Sequence, residues 1–98
     1  MSTAWIIRVT KTVDKQIGKL SEKVKLQLRF LFLDLANKGP TVSDWPHYSK
    51  LHSKKRSDKR HCHLQKGKPT YVCCWEIIDK KQKIIEVYYV GTHEKAPY

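Results

Sequence analysis

The sequence predicts one α+β domain in which two N-terminal helices pack on one face of an antiparallel sheet. Three observations lead to this prediction. A β-branched run opens the chain, two stretches with helical spacing of apolar residues follow, and strand-like runs joined by short turns fill the second half. The 98 residues suffice for one modest core, so we expect a single domain over 1–98.

The chain begins with a predicted strand and continues with two predicted helices. Residues 4–10 (AWIIRVT) are aromatic and β-branched, which is typical of a strand. Thr12 is predicted to cap the first helix, because a threonine hydroxyl can accept a hydrogen bond from the first turn. Ser21 is predicted to cap the second helix in the same way. Gly39 should end that helix, since glycine tolerates the backbone conformation of a helix end.

The second predicted helix carries a broad apolar surface. Its core-facing stripe recurs at steps of four and three residues and consists of Val24, Leu28, Leu31 and Leu35. Leu26, Phe30 and Leu33 extend the apolar surface around the helix. These three residues indicate either additional core or a groove for a partner segment.

The second half of the chain is predicted to form a meander of strands. Residues 40–60 are rich in Pro, Ser, Asp and cations, which favours a loop with a short strand near 48–51. Strands are predicted over 61–65, 71–78 and 83–90. The short turns between them favour antiparallel pairing, which gives the element order β-α-α-β-β-β.

Histidines in and after these strands are the first candidates for chemistry. His61 and His63 alternate with the apolar residues Cys62 and Leu64. In a strand the two imidazoles would therefore share one face while the apolar pair faces the core. His93 follows the last strand. Histidine is the side chain whose ordinary pKa lies near neutrality, so these imidazoles indicate proton transfer.

The net charge of +11 indicates a polyanionic partner. The cations concentrate between positions 50 and 68, against the single acid Asp58, and they are Lys50, Lys54, Lys55, Arg56, Lys59, Arg60, Lys66 and Lys68. A charge run is usually a solvated surface, but this run brackets the histidine pair, and we therefore expect it to contact RNA phosphates. Binding should weaken steeply with salt, because phosphate contacts release counterions.

Cleavage of RNA without a metal needs a base for the 2′-hydroxyl, a cation for the phosphate and an acid for the leaving 5′-oxygen. His61, His63 and His93 can divide the proton transfers, and Tyr98 can stack on a splayed base. A zinc site built from the histidines and cysteines is disfavoured, because adjacent residues of a strand point to opposite faces and paired ligand spacings are missing. We therefore predict neither a metal nor a cofactor.

Nothing in the sequence predicts export or membrane insertion. The N-terminus lacks a charged segment followed by a long apolar one, and the most apolar run, 26–36, is too short and too polar to span a bilayer. Cys62, Cys73 and Cys74 are an odd number with an adjacent pair, which is not the pattern of a disulfide framework. We expect buried thiols, a cytoplasmic protein and no membrane partner.

The ordered set of segments resembles the RelE/ParE toxin superfamily. The resemblance covers nearly the full length and rests on the element order together with 45–51 (WPHYSKL), 61–64 (HCHL), 71–79 (YVCCWEIID) and 89–98 (YVGTHEKAPY). It implies a single RelE-like domain. RelE-type members of the superfamily are ribosome-dependent endoribonucleases that cut mRNA in the ribosomal A site and are held inactive by a cognate antitoxin. The resemblance thus implies an antitoxin and ribosome-bound mRNA as partners.

The family's active site implies a role for each matching position. Its basic pair on one strand falls on His61 and His63, its basic residue after the last strand falls on His93, and its closing tyrosine falls on Tyr98. Its arginine falls on Val72, so phosphate stabilisation would have to come from other cations. The nearest candidates are Arg60, Lys68 and Lys95. The histidine-rich set resembles the HigB and YoeB branches more than RelE itself.

We therefore predict an mRNA endoribonuclease toxin with His61 or His63 as base and His93 as acid. Two alternatives stay open. A ParE-type toxin would inhibit DNA gyrase with the same fold and no nuclease site, and the histidines argue against it, because a gyrase binder needs no titratable groups there. A non-catalytic RNA-binding module would keep its biological effect after His93→Ala.

Overall fold

The computed structural model describes residues 4–51, 58–65 and 69–97, which form two α-helices, five strands and a short 3-10 helix. In chain order these elements are β1 (Ile6–Val9), α1 (Lys11–Gly18), α2 (Glu22–Lys38), β2 (Ser49–Leu51), β3 (Asp58–Gln65), β4 (Tyr71–Asp79), β5 (Ile84–Thr92) and the 3-10 helix His93–Lys95. The α+β class and the predicted order of elements are confirmed, with β2 as the short strand expected in the loop. Within these ranges no helix is long and apolar enough to cross a membrane.

The strands form one sheet in the order β1-β5-β4-β3-β2. The pairs β2–β3, β3–β4 and β4–β5 are antiparallel, as the meander predicts. The pair β1–β5 is parallel, so the sheet is mixed and not wholly antiparallel. No hairpin joins these two strands, and the two helices that follow β1 give the chain the length it needs to return in the parallel sense.

The helix boundaries follow local hydrogen bonds. Thr10, not the predicted Thr12, caps α1, and its hydroxyl accepts a hydrogen bond from the Val13 N–H at 3.1 Å. Ser21 caps α2 as predicted, accepting from the Val24 N–H at 3.3 Å. Gly39 ends α2 at a φ of 89°, a left-handed value that favours glycine.

The core lies between the two helices and one face of the sheet. Its buried residues are Val13, Leu20, Val24, Leu28, Leu31, Leu35, Val42, Cys62, Leu64, Cys73, Trp75, Ile85, Val87 and Val90. The predicted stripe of α2 is thus confirmed as core. Leu26, Phe30 and Leu33 are 49%, 51% and 58% exposed, so they are not additional core and leave an apolar stripe on the outer surface of α2.

The other face of the sheet, which we call the distal face, carries a second and smaller cluster. Val72, Cys74 and Tyr89 are buried there, and Tyr88 packs against them. A bulge opposite Cys74 and Trp75 in β5 brings the two adjacent tyrosines to the same face. All three cysteines of the chain are free and buried, and burial raises the pKa of the Cys74 thiol to about 12.

Candidate active site

The predicted histidines meet at one end of the distal face. In β3 the side chains of His61 and His63 point away from the core that buries Cys62 and Leu64, as the alternation predicts. His93 begins the 3-10 helix directly after β5. The ring centroids of His61 and His63 are 6.1 Å apart, and those of His63 and His93 are 5.4 Å apart in an edge-to-face arrangement.

The register of three strands explains why His93 reaches His63. His63 pairs with Val72 on β4, and Val72 pairs with Gly91 on β5, so the three residues form one row across the sheet. The chain continues from Gly91 into the 3-10 helix, where the backbone N–H of His93 donates to the Thr70 carbonyl at 2.8 Å. Sheet pairing thus fixes both backbones that carry these imidazoles, which is the rigidity that positioned proton transfer requires.

His61 is the most enclosed member of the group. It is 9% exposed, and its Nδ1 lies 3.1 Å from the hydroxyl of Ser49, its partner on β2. Burial lowers the pKa of His61, and the nearby His93 and His47 lower it further, while Ser49 opposes the shift. His61 is therefore neutral at neutral pH and available as a hydrogen-bond donor or acceptor.

His47 is a fourth imidazole at the site and is not among the candidates predicted from the sequence. It lies in the predicted 40–60 loop, and its ring stacks on His63 with centroids 4.2 Å apart and an interplanar angle of 26°. Its φ of 54° is left-handed, which is uncommon for a residue with a side chain. No sequence pattern predicts this contact, because it depends on the conformation of one loop and on tertiary packing.

Arg60 does not lie on the predicted RNA-binding surface. It shares the orientation of Cys62, toward the helices. Its guanidinium donates to both carboxylate oxygens of Asp58, at 3.0 and 3.1 Å, and to the hydroxyls of Tyr48 and Thr41. The same pair lowers the pKa of Asp58. Because its donors are engaged on the far side of the sheet from the histidines, Arg60 is removed from the candidate surface.

Two of the predicted cations lie on the elements that carry the histidines. Lys59 shares the distal face with His61, and its Nζ lies 5.2 Å from the centroid of the Tyr88 ring. Lys95 lies on the 3-10 helix and is exposed. It lines a surface cavity of about 500 Å³ that also involves Gln16, Lys19, Tyr71, Tyr89 and Thr92.

Several predicted site residues fall outside the described ranges. They are Lys54, Lys55, Arg56, Lys66, Lys68 and Tyr98. Their assignment to RNA binding or stacking stays a prediction. Within 4–51, 58–65 and 69–97, no group of three or more His, Cys, Asp or Glu side chains has the arrangement needed to hold a metal ion.

Replacement of Gly91 with alanine is expected to disturb the strand end that leads to His93. A Cβ at this position would lie 2.7 Å from the hydroxyl oxygen of Tyr89, which donates to the Thr92 carbonyl at 2.7 Å. The ring must move and its hydrogen bond must weaken, so we expect Gly91→Ala to lower the free energy of unfolding by about 1–3 kcal/mol in urea titrations. Tyr89→Phe removes the closest atom, so Gly91→Ala should cost less in that background. An equal cost in both backgrounds would refute this explanation.

Comparison with known proteins agrees with the fold. Neither a protein-family model nor a curated protein matches the sequence significantly. The chain is similar to archaeal RelE in the RelE–RelB complex from Pyrococcus horikoshii, with 17% identity, a TM-score of 0.68, and coverage of 95% of this chain and 99% of the other. It is similar to the free E. coli toxin RelE in a double arginine-to-alanine variant, with 19% identity, a TM-score of 0.69, and coverage of 95% of this chain and 87% of the other. It is also similar to isolated E. coli RelE, with 18% identity, a TM-score of 0.68, and coverage of 96% of this chain and 89% of the other. The chain therefore has the fold of the RelE toxins over nearly its whole length.

Proposed function

We propose that this protein is a RelE-type toxin that cleaves mRNA on the ribosome by acid–base catalysis. One observation carries the proposal: on the distal face the ring centroid of His63 lies 6.1 Å from that of His61 and 5.4 Å from that of His93. Titratable groups this close, on a protein with a net charge of +11, suit a polyanion whose cleavage consists of proton transfers.

His63 is the better candidate for the base, and His93 for the acid. His63 is half-buried and adjoins the exposed His93, whereas His61 is buried against Ser49. In the proposed reaction His63 takes the proton of the 2′-hydroxyl as the 2′-oxygen attacks phosphorus. The bond from phosphorus to the 5′-oxygen breaks, and His93 protonates that oxygen. The products are a 2′,3′-cyclic phosphate and a 5′-hydroxyl, and water can open the ring with the two roles reversed.

The cations supply binding and charge stabilisation in this proposal. Val72 stands where the family has an arginine, and it is fully buried. With Arg60 excluded, the described cations on the elements that carry His61, His63 and His93 are Lys59 and Lys95, so these are assigned to phosphate contacts together with the predicted lysines between 54 and 68. Tyr98 is assigned to stacking on the base beside the cut.

An antitoxin is the proposed protein partner. One of the similar structures is a complex of RelE with RelB. In this chain the exposed stripe of Leu26, Phe30 and Leu33 on α2 is apolar, and the cation Arg29 is exposed beside it. Such a surface suits an amphipathic segment with acidic residues at its margins.

The decisive experiment maps mRNA 5′ ends on translating ribosomes after expression of the wild type and of His61→Ala, His63→Ala, His93→Ala and Tyr98→Ala. Cuts in phase with codons in the wild type, and their loss in the His63 and His93 variants, would support the proposal. The same RNA without ribosomes should be cut much more slowly. Growth arrest with intact mRNA would refute the nuclease, and inhibition of gyrase supercoiling by the purified protein would replace it with the ParE-type alternative.

A further inference from the structure

The stacked pair of His47 and His63 has a geometry that the reaction outlined above does not use. The two rings lie 4.2 Å apart and within 26° of parallel, which is a face-to-face contact. The contact is held from the backbone as well, since the N–H of His63 donates to the carbonyl of Pro46, the residue before His47, at 2.8 Å. Strand β3 thus fixes both members of the pair.

The loop that presents His47 is anchored independently of its ring. Val42 is fully buried in the core, and the indole N–H of Trp45 donates to the Asp34 carboxylate on α2 at 2.7 Å. Backbone hydrogen bonds link Trp45 to Val42 and Tyr48 to Trp45. The ring of His47 is exposed and contributes little to this anchoring, yet its backbone adopts the left-handed conformation that places it over His63.

The surroundings of the pair disfavour a second positive charge. Among the described residues, His61 and Lys59 of β3 share its face, His93 lies against it from the 3-10 helix, and Lys95 follows on that helix. Cys74 on β4 is neutral, because burial raises the pKa of its thiol to about 12. The acids of these elements are Asp58 of β3, which is paired with Arg60, Glu76 of β4, whose Cα partner is Lys59, Asp79 at the end of β4, and the exposed Glu94 of the 3-10 helix.

We propose that His47 is a positioning residue whose ring, stacked on His63, opposes protonation of His63 and thereby keeps His63 able to accept a proton near neutral pH. This inference deepens the proposed function, since it assumes that His63 is the base. Two stacked imidazolium rings at this distance repel, so a positive charge on one ring opposes protonation of the other. Burial is the main cause of the lowered pKa of His61, and the charges of His93 and His47 lower it further.

The test is an NMR titration of the His63 imidazole, which needs no RNA cleavage. His47→Phe keeps an aromatic ring over His63 and removes the titratable group, whereas His47→Asn keeps a residue that tolerates the left-handed backbone. In both variants we expect the pKa of His63 to rise by about half a unit to one unit. Ser43→Ala, an exposed change in the same loop, is the matched control and should leave the His63 titration unchanged.

Cleavage assays then separate this role from a structural one. If His63 is the base, raising its pKa shifts the acid limb of the pH–rate profile to higher pH. The rate at a fixed pH on that limb then falls about 3–10-fold, while the plateau stays near the wild-type value. A His63 titration that is unchanged in both His47 variants overturns the inference. A shifted titration in a protein that cuts no RNA supports the coupling of the two rings and refutes the nuclease, so the two failures are distinguishable.

Discussion

Replacement of His63 or His93 with alanine is expected to lower the rate of mRNA cleavage by about 10²–10⁴-fold, the usual contribution of a positioned general acid or base. The free energy of unfolding should change by less than about 1 kcal/mol, because His63 is half-buried, His93 is exposed, and neither belongs to the apolar core. Single-turnover cleavage on ribosomes and urea unfolding would measure the two quantities separately.

The double variant sharpens this prediction. In the proposed mechanism one imidazole removes the proton of the nucleophile and the other protonates the leaving oxygen of the same linkage. Because such groups act as a unit, the double variant should lose little more of the cleavage rate than the single variant with the larger loss. Two independent phosphate contacts would instead give losses that multiply and become smaller as the salt concentration rises. Lys80→Ala is the matched control, because it removes an exposed cation in the turn that follows Asp79, at the opposite end of β4 from Tyr71. A loss in Lys80→Ala as large as in His63→Ala would contradict the assignment.

Much of the architecture follows from local patterns in the sequence. The Ser21 cap, the core stripe of α2 and the Gly39 terminus depend on hydrogen bonds and backbone angles within a few residues, so the pattern contains the whole cause. Thr10 caps α1 where Thr12 was predicted. Two threonines lie within one turn there, and the hydroxyl of Thr10 is the one that accepts a hydrogen bond from the Val13 N–H. The parallel pairing of β1 with β5 joins the two ends of the chain, and no local pattern encodes it.

The candidate site divides in the same way. Strand alternation alone predicts that His61 and His63 share a face, and the structure places them on that face. The same alternation also assigns Arg60 to the face of Cys62, so its grouping with the RNA-binding cations followed closeness in sequence and overlooked strand geometry. The place of His47 in the site could not be predicted from the sequence, because its contact with His63 requires a left-handed loop residue and a loop anchored on α2.

Replacement of Trp75 with alanine is expected to have the largest effect on stability. Trp75 is fully buried on β4 in the center of the core, and its indole N–H donates to the Pro40 carbonyl at 3.3 Å. Truncation leaves a large cavity and removes this hydrogen bond, so we expect the free energy of unfolding to fall by about 3–5 kcal/mol. Since domains are typically stable by about 5–15 kcal/mol, the variant should lie near its unfolding midpoint under mild conditions.

The matched comparison for Trp75 is Trp45, which also donates an indole hydrogen bond, to Asp34 at 2.7 Å, but is only half-buried. Trp45→Ala should therefore cost clearly less than Trp75→Ala, because less apolar surface leaves the core. Trp75→Phe separates the two contributions at Trp75: it restores most of the volume and leaves the Pro40 carbonyl without its donor, so we expect a cost of about 1–2 kcal/mol. Urea unfolding followed by circular dichroism measures all three variants. Equal costs for Trp75→Ala and Trp45→Ala would show that the core is not organised around Trp75.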